Sequence, residues 1–230
     1  MNQRLTSLLI HAGITAAVAL SCFGCSSPAG DRHREVAYGI DQPVRTVVIE
    51  GRVGDVQVTG TGTAVRVTER QSYRSTAPQA DHRVAADGTL TLGYRCPDGD
   101  CGIGYRVEVP AGTAVRIRNG SGAVRLDGLT AAVSAETGTG SITAVHLGAG
   151  GATLHTGTGD VTAEFAAAPG SVAADSSTGD VRVTVPAGDA YQVRAAADTG
   201  TAKVTVPQSP GAARAIEATS STGDVTVAHA

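Results

Sequence analysis

From Val44 to Ala230 the apolar residues fall on alternate positions, in short runs punctuated by glycine. The punctuating glycines are Gly54, Gly122, Gly140, Gly159, Gly179, Gly200 and Gly223, and from Gly122 onward they lie 18, 19, 20, 21 and 23 residues apart. With each glycine taken as position 0, position −7 holds Val47, Val115, Val133, Ala152, Val172, Val193 and Ile216. Position −5 holds Ile49, Ile117, Ala135, Leu154, Ala174, Ala195 and Ala218, position +2 holds Val56, Val124, Ile142, Val161, Val181, Ala202 and Val225, and position +4 holds Val58, Leu126, Ala144, Ala163, Val183, Val204 and Val227. The intervening positions are mostly polar or charged, as at −4 with Glu50, Arg118, Glu136, His155, Asp175, Ala196 and Thr219. A period of two marks half-buried strands, one before and one after each turn.

One strand–turn–strand unit cannot bury its own apolar face, but stacked units can. The repeat predicts an all-β fold, a β-solenoid of coils about 20 residues long. A sandwich of successive hairpins is the competing architecture, since a Thr-Gly-Asp turn also suits antiparallel strands. Between residues 59 and 110 the repeat lapses, and an irregular hairpin-like insertion is expected there. Its turns fall at Asp87-Gly88 and in the loop between Cys96 and Cys101, which are positioned to close a disulfide in an oxidising compartment. It also holds Tyr73, Tyr94 and Tyr105, which would suit a recognition tip on a rigid scaffold.

Composition agrees with thin layers of small residues. Aromatics are 3% of the chain and Trp is absent, while Gly accounts for 30 of 230 residues. A net charge of −3 points away from nucleic acid as a partner.

The N-terminus reads as a targeting segment. Arg4 precedes an apolar run of small residues, and Cys22 and Cys25 precede the polar Ser26, Ser27 and Pro28. Residues 1–24 are expected to be a lipoprotein signal peptide, Cys25 (alternatively Cys22) the lipidated residue, residues 25–43 a flexible tether, and residues 44–230 a single repeat domain. Lipidation at Cys25 leaves no unpaired thiol. The membrane, reached through that lipid, is then the first partner, and an envelope protein or polysaccharide the second.

Candidate chemistry in the turns is limited. A phosphate cradle needs a helix N-terminus, and here a strand follows each glycine. Position +1 holds Asp55, Ala123, Ser141, Asp160, Asp180, Thr201 and Asp224. Asp160 and Asp180 are acidic in consecutive units, which makes them the one candidate cation site; otherwise the short polar residue serves the turn itself. No cofactor motif or nucleophile elbow is present, so no catalytic residue, cofactor or enzymatic activity is expected. Arg116, Arg118, Arg125, Arg182, Arg194 and Lys203 lie on outward positions, where they suit anionic wall polymers or lipid headgroups.

The "TGTGDV", "STGDVRV" and "STGDVTV" turns between short Val/Ala strands, behind a lipoprotein-like leader, resemble the putative-adhesin β-strand-repeat family of bacterial envelope proteins. The resemblance implies a solenoid-like fold over about residues 44–230 and an envelope location, and it carries no catalytic residues; the lipid on Cys25 would place the chain on the outer face of the cytoplasmic membrane. The function expected is a non-enzymatic, lipid-anchored scaffold for adhesion or surface contact. The alternative is a β-helix that binds or cleaves wall glycans.

Overall fold

The computed structural model describes residues 31–230; the leader, Cys22 and Cys25 lie outside the described residues. In chain order the strands are β1 (Arg32–Ile40), β2 (Thr46–Glu50), β3 (Val56–Thr59), β4 (Val65–Tyr73), β5 (Gln79–Val84), β6 (Thr89–Arg95) and β7 (Cys101–Glu108). They continue with β8 (Ala114–Ser121), β9 (Val124–Asp127), β10 (Val133–Thr139), β11 (Ile142–Leu147), β12 (Ala152–Thr158) and β13 (Val161–Phe165). The last six are β14 (Ser171–Thr178), β15 (Val181–Val185), β16 (Gln192–Thr199), β17 (Ala202–Val204), β18 (Ala215–Thr222) and β19 (Val225–His229).

Each coil gives one strand to each of two sheets. The ten-stranded sheet runs β1-β4-β7-β3-β9-β11-β13-β15-β19-β17, and the nine-stranded sheet runs β16-β18-β14-β12-β10-β8-β2-β6-β5. Within the coils every strand pairs in parallel with like positions of its neighbours, Val133 beside Val115 and Ala152, Ile142 beside Val124 and Val161. The architecture is therefore the solenoid rather than the hairpin sandwich. Inward positions make one core between the sheets, with Ile49, Leu126, Ile142, Leu154, Val183 and Val227 fully buried. Ala and Val in these columns let the sheets close on each other without aromatic filler.

The turn glycines have φ between 132° and 144° at all seven positions, a region L side chains rarely adopt. They also stack on one another: a Cβ on Gly179 would collide with the carbonyl of Gly159, and one on Gly159 with that of Gly140. Corner glycine is thus required twice over, by the turn and by the coil beneath it.

Position −3 forms a column the apolar pattern does not announce. It points inward, yet holds Asn119, Thr137, Thr156, Ser176 and Ser220, all buried. Each side chain donates to the turn carbonyl of the adjacent coil: Asn119 Nδ2 to Gly54 O at 2.9 Å, Thr156 Oγ1 to Gly140 O at 2.8 Å, Ser176 Oγ to Gly159 O at 2.8 Å and Ser220 Oγ to Gly179 O at 2.8 Å. The corner carbonyls, drawn inside by the turn, keep hydrogen-bond partners this way.

Three expectations change. Residues 32–40, expected as tether, form β1, which pairs antiparallel with β4 along its whole length; Val36, Tyr38 and Ile40 alternate and turn toward the core. The segment 59–110 contains the expected hairpin, β5 against β6, but the repeat also continues through it. Leu90 and Leu92 stand beside Val47 and Ile49, and Tyr105 and Val107 beside Val56 and Val58, so β6 and β7 are a full coil. This coil spends nine residues from position −3 (Tyr94) to position 0 (Ile103) where the next coil spends three (Gly51 to Gly54), and the Cys96–Cys101 disulfide clasps the excess. Finally, Tyr94 and Tyr105 are buried at 8% and 2% exposure rather than displayed on a tip.

The coils are not stacked in chain order. The β6/β7 coil lies outside β2/β3, and the chain then returns to lay β8/β9 on the other side of β2/β3. At the opposite end β16/β17 overshoots, and β18/β19 is inserted between it and β14/β15.

Candidate functional site

Three outward surfaces concentrate chemistry. The first is the corner column at +1. Asp55 Oδ1 accepts from Ala123 N at 2.9 Å, Asp160 Oδ1 from Asp180 N at 2.9 Å, Asp180 Oδ1 from Asp224 N at 2.8 Å, and Asp224 Oδ1 from Thr201 N at 2.8 Å. The structure does bring Asp160 and Asp180 together, but it adds Asp224 beside Asp180, because β18/β19 is inserted there. The carboxylates tie coil to coil by accepting backbone N–H groups, and the two hydrogen bonds from Thr201, first its N–H and then its hydroxyl, hold the Asp224 carboxyl below its ordinary range. Among the described residues no group of three or more His, Cys, Asp and Glu side chains is arranged to hold a metal ion.

The second surface is the outer face of the nine-stranded sheet. Here position −4 sets Glu50, Arg118, Glu136, His155, Asp175, Thr219 and Ala196 side by side across seven strands. Arg118 Nε lies 3.9 Å from Glu136 Oε2, and His155 Nδ1 lies 2.6 Å from Asp175 Oδ1. Thr219 Oγ1 donates to Asp175 Oδ2 at 2.7 Å. The His–Asp pair resembles half of a hydrolytic triad, but the hydroxyl in the cluster is spent on the carboxylate instead of being held by the imidazole. These are cross-strand pairs that pin neighbouring coils.

The third surface is the outer face of the ten-stranded sheet. One cross-strand row reads Arg106, Gln57, Arg125, Thr143, Thr162, Arg182, Thr226 and Lys203. At roughly 4.8 Å per strand it is about 34 Å long. Arg106, Arg125, Arg182 and Lys203 are exposed. The ion pairs of the described residues involve other cations: Arg70 with Glu35, Arg74 with Asp31 and Asp100, Arg118 with Glu136, His146 with Asp127, His155 with Asp175, Arg194 with Glu217, and Arg214 with Asp189. Four cations of the row are thus left to solvent. Toward the β1 end the row opens into a shallow groove of about 460 Å³ lined by His33, Asp55, Gln57, Arg70, Arg106 and Arg125.

Beside that row runs a second, with Glu108, Thr59, Asp127, Val145, Glu164 and Thr184. A bulge in β11 interrupts it. His146, in this bulge, is the one described non-glycine residue with positive φ, at 52°. Bulges re-aim side chains, and this one sets His146 Nδ1 2.9 Å from Asp127 Oδ1. That hydrogen bond, aided by the charges of Asp127 and Glu164, raises the imidazole pKa. The face therefore presents donors in one line and carboxylate acceptors in the next.

Of the outward basic residues singled out in the sequence, Arg125, Arg182 and Lys203 share the third surface, whereas Arg116, Arg118 and Arg194 lie on the nine-stranded sheet. Arg106 belongs to the row but was hidden in the insertion. The signal for it was the alternation Tyr105-Arg106-Val107, which matches Val56-Gln57-Val58.

No curated protein matches the chain. Among solved structures it is similar to a putative cell adhesion protein from Clostridium sporogenes, with 10% identity and a TM-score of 0.53, covering 86% of this chain and 100% of that one. It is also similar to a putative adhesin from Bacteroides fragilis, with 14% identity and a TM-score of 0.45, covering 88% of this chain and 99% of that one. The first likeness extends to the fold as a whole. The family model of the Toastrack DUF4097 type matches residues 41–228, which takes in every coil described above. By that match the chain belongs to the Toastrack DUF4097 family.

Proposed function

We propose that this chain is a non-catalytic envelope protein, held at the outer face of the cytoplasmic membrane by a lipid on Cys25. Its outer ten-stranded face binds an acidic polysaccharide. The observation that carries this reading is the row Arg106, Arg125, Arg182 and Lys203, four exposed cations without ion-pair partners, interleaved with Gln57, Thr143, Thr162 and Thr226. Guanidinium groups match carboxylates in planar, bidentate geometry. The neighbouring row of Glu108, Asp127 and Glu164 offers acceptors for sugar hydroxyls. A polyuronate bears both kinds of group, whereas a bare polyanion such as polyphosphate meets repulsion from the carboxylates.

Titration with polygalacturonate, dextran and polyphosphate tests the ligand. Polygalacturonate should bind best and weaken with salt, and Arg106→Glu with Arg125→Glu should cost about tenfold or more in affinity. Equal binding of dextran, or affinity unmoved by the two substitutions, removes the reading. The anchor is tested separately by Cys25→Ala, which should move the protein from the membrane fraction to the soluble one; retention in the membrane refutes it.

A further inference from the structure

The solenoid has one sealed end and one open end, and we infer that the open end is a self-association surface, where two copies of this chain join β16 to β16 antiparallel about Ala196. The inference is independent of the polysaccharide reading.

Three observations support it. First, β16 is the last strand of its sheet, with β18 on one side only. In the interior coils, residues at −7 turn their backbone toward the next coil away from β1, as Val115 N does to Ala132 O and Val133 N to Gly151 O. Gln192, one position earlier in its coil, turns the other way, to Arg214 O on the β18 side. The same alternation leaves the N–H and C=O groups of Val193, Ala195 and Ala197 facing outward with no strand beyond them; the edge is covered only upstream, where Tyr191 bonds to Pro207 O and Ser209 N.

Second, the core is incompletely covered here. Val193, Ala195 and Val204 are half-buried and Ala202 is exposed, while their counterparts on the adjacent coil, Ile216, Ala218, Val227 and Val225, are at most 1% exposed.

Third, the edge is complementary to itself. Antiparallel pairing centred on Ala196 sets Arg194 opposite Asp198 of the second copy and Asp198 opposite its Arg194. It also aligns Ala195 with Ala197, whose free backbone groups then bond to each other. The edge strands at the other end, β1 and β5, carry Arg32, His33, Arg34 and Glu35, and Asp81, His82 and Arg83, as protected edges do. At −4, where six other coils carry a charged, imidazole or hydroxyl side chain, β16 has Ala196, which lets a second backbone approach. The partner this surface fits is a second copy of the chain, and the product is one continuous sheet of twice nine strands.

Two experiments on the full chain test this. In sedimentation velocity the wild type should dimerise with concentration. Asp198→Arg alone and Arg194→Asp alone should each weaken the dimer about tenfold or more by like-charge opposition, and an equimolar mixture of the two variants should restore it. Ala196→Cys should form an intermolecular disulfide with itself, since non-hydrogen-bonded antiparallel partners approach to about 4.5 Å between Cα atoms. Thr219→Cys, one strand inward, should not. A wild type that stays monomeric, variants that dimerise unmixed, a mixture that does not recover, or equal crosslinking at both cysteines overturns the proposal.

Discussion

The two ends of this solenoid solve the same problem in opposite ways. At the β1 end, antiparallel strands β4 and β1 extend one sheet and β5 the other. The Tyr38 and His82 rings stack across the gap with centroids 4.5 Å apart. Beneath them Tyr38 donates to Glu69 Oε1 at 2.7 Å and Gln71 Nε2 to Glu69 Oε2 at 3.0 Å, with Glu69 only 2% exposed. Burial first, then the Glu69 hydrogen bond, pushes the Tyr38 phenol well above its ordinary range, so it stays a donor. Tyr94 closes the corner, accepting from Val53 N at 2.8 Å and donating to Val53 O at 2.9 Å. At the β17 end the corner column still closes through Thr201 on Asp224, but the polar column at −3 stops, with a strand of three residues and an alanine edge. A repeat can propagate indefinitely; ending it takes residues that break the repeat, and the β1 end has whole strands of them, whereas the β17 end has only buried Tyr191 and Val206 and the short segment at 207–209 that bonds to Tyr191.

Equivalent substitutions at the two ends sharpen the contrast most. Leu90→Ala in the sealed coil should cost about 2–5 kcal/mol, and Val193→Ala at the same offset in the open coil under about 1 kcal/mol, both by denaturant unfolding of the monomer. Equal costs would erase the distinction. Reducing Cys96–Cys101 should remove about 2 kcal/mol, the chain-entropy value for so short a loop, read as a fall in Tm with reductant that Cys96→Ser/Cys101→Ser abolishes. Installing at the open end what the interior has should help: Ala197→Ser offers Gly223 O the donor that Ser220 gives Gly179 O, for a gain of about 0.5–1 kcal/mol.

The smallest effect is one of pH. The His146 pKa is raised above its ordinary value of 6.5 by Asp127, so the contact stabilises the fold in full below about pH 6.5. The contribution is lost as pH rises through the higher folded-state value. Tm should therefore fall slightly from about pH 6 to about pH 8, and Asp127→Asn should flatten that dependence; an unchanged slope would show that the bulge is not the titrating element.

The four apolar columns and the corner glycine were legible because they depend on local periodicity alone. The order of the coils was not. The seven coils with a glycine corner offer much the same small apolar columns, so any of them can stack on any other, and the columns do not say which neighbours which. The irregular members held what clue there was: Ala196 and Ala197 replace the polar pair at −4 and −3 that five interior coils show. The −3 column was visible as Asn119, Thr137, Thr156, Ser176 and Ser220 at one offset, but its inward direction is hidden by their polarity. Strand β1 was missed because its first four residues are charged or imidazole-bearing, and Val36, Tyr38 and Ile40 alternate only at its end. The candidate surface was half legible, since Arg125, Arg182 and Lys203 share an offset, while Arg106 needed the coil hidden in the insertion.

The inserted position of β18/β19 has a consequence for how the chain reaches this state. A solenoid stacked in chain order can grow coil by coil, each new one docking on a finished edge. Here β16 and β17 precede in the chain the coil on which they rest, and among the named strands each pairs only with a strand of residues 215–229. The coil of β18 and β19 is thus an insertion between two others rather than an addition at an end, and it pairs Asp175 with Thr219, the kind of non-local closure that slows folding. The molecule gains from it a C-terminal strand gripped on both sides, by β15 and β17, where an ordinary solenoid would fray.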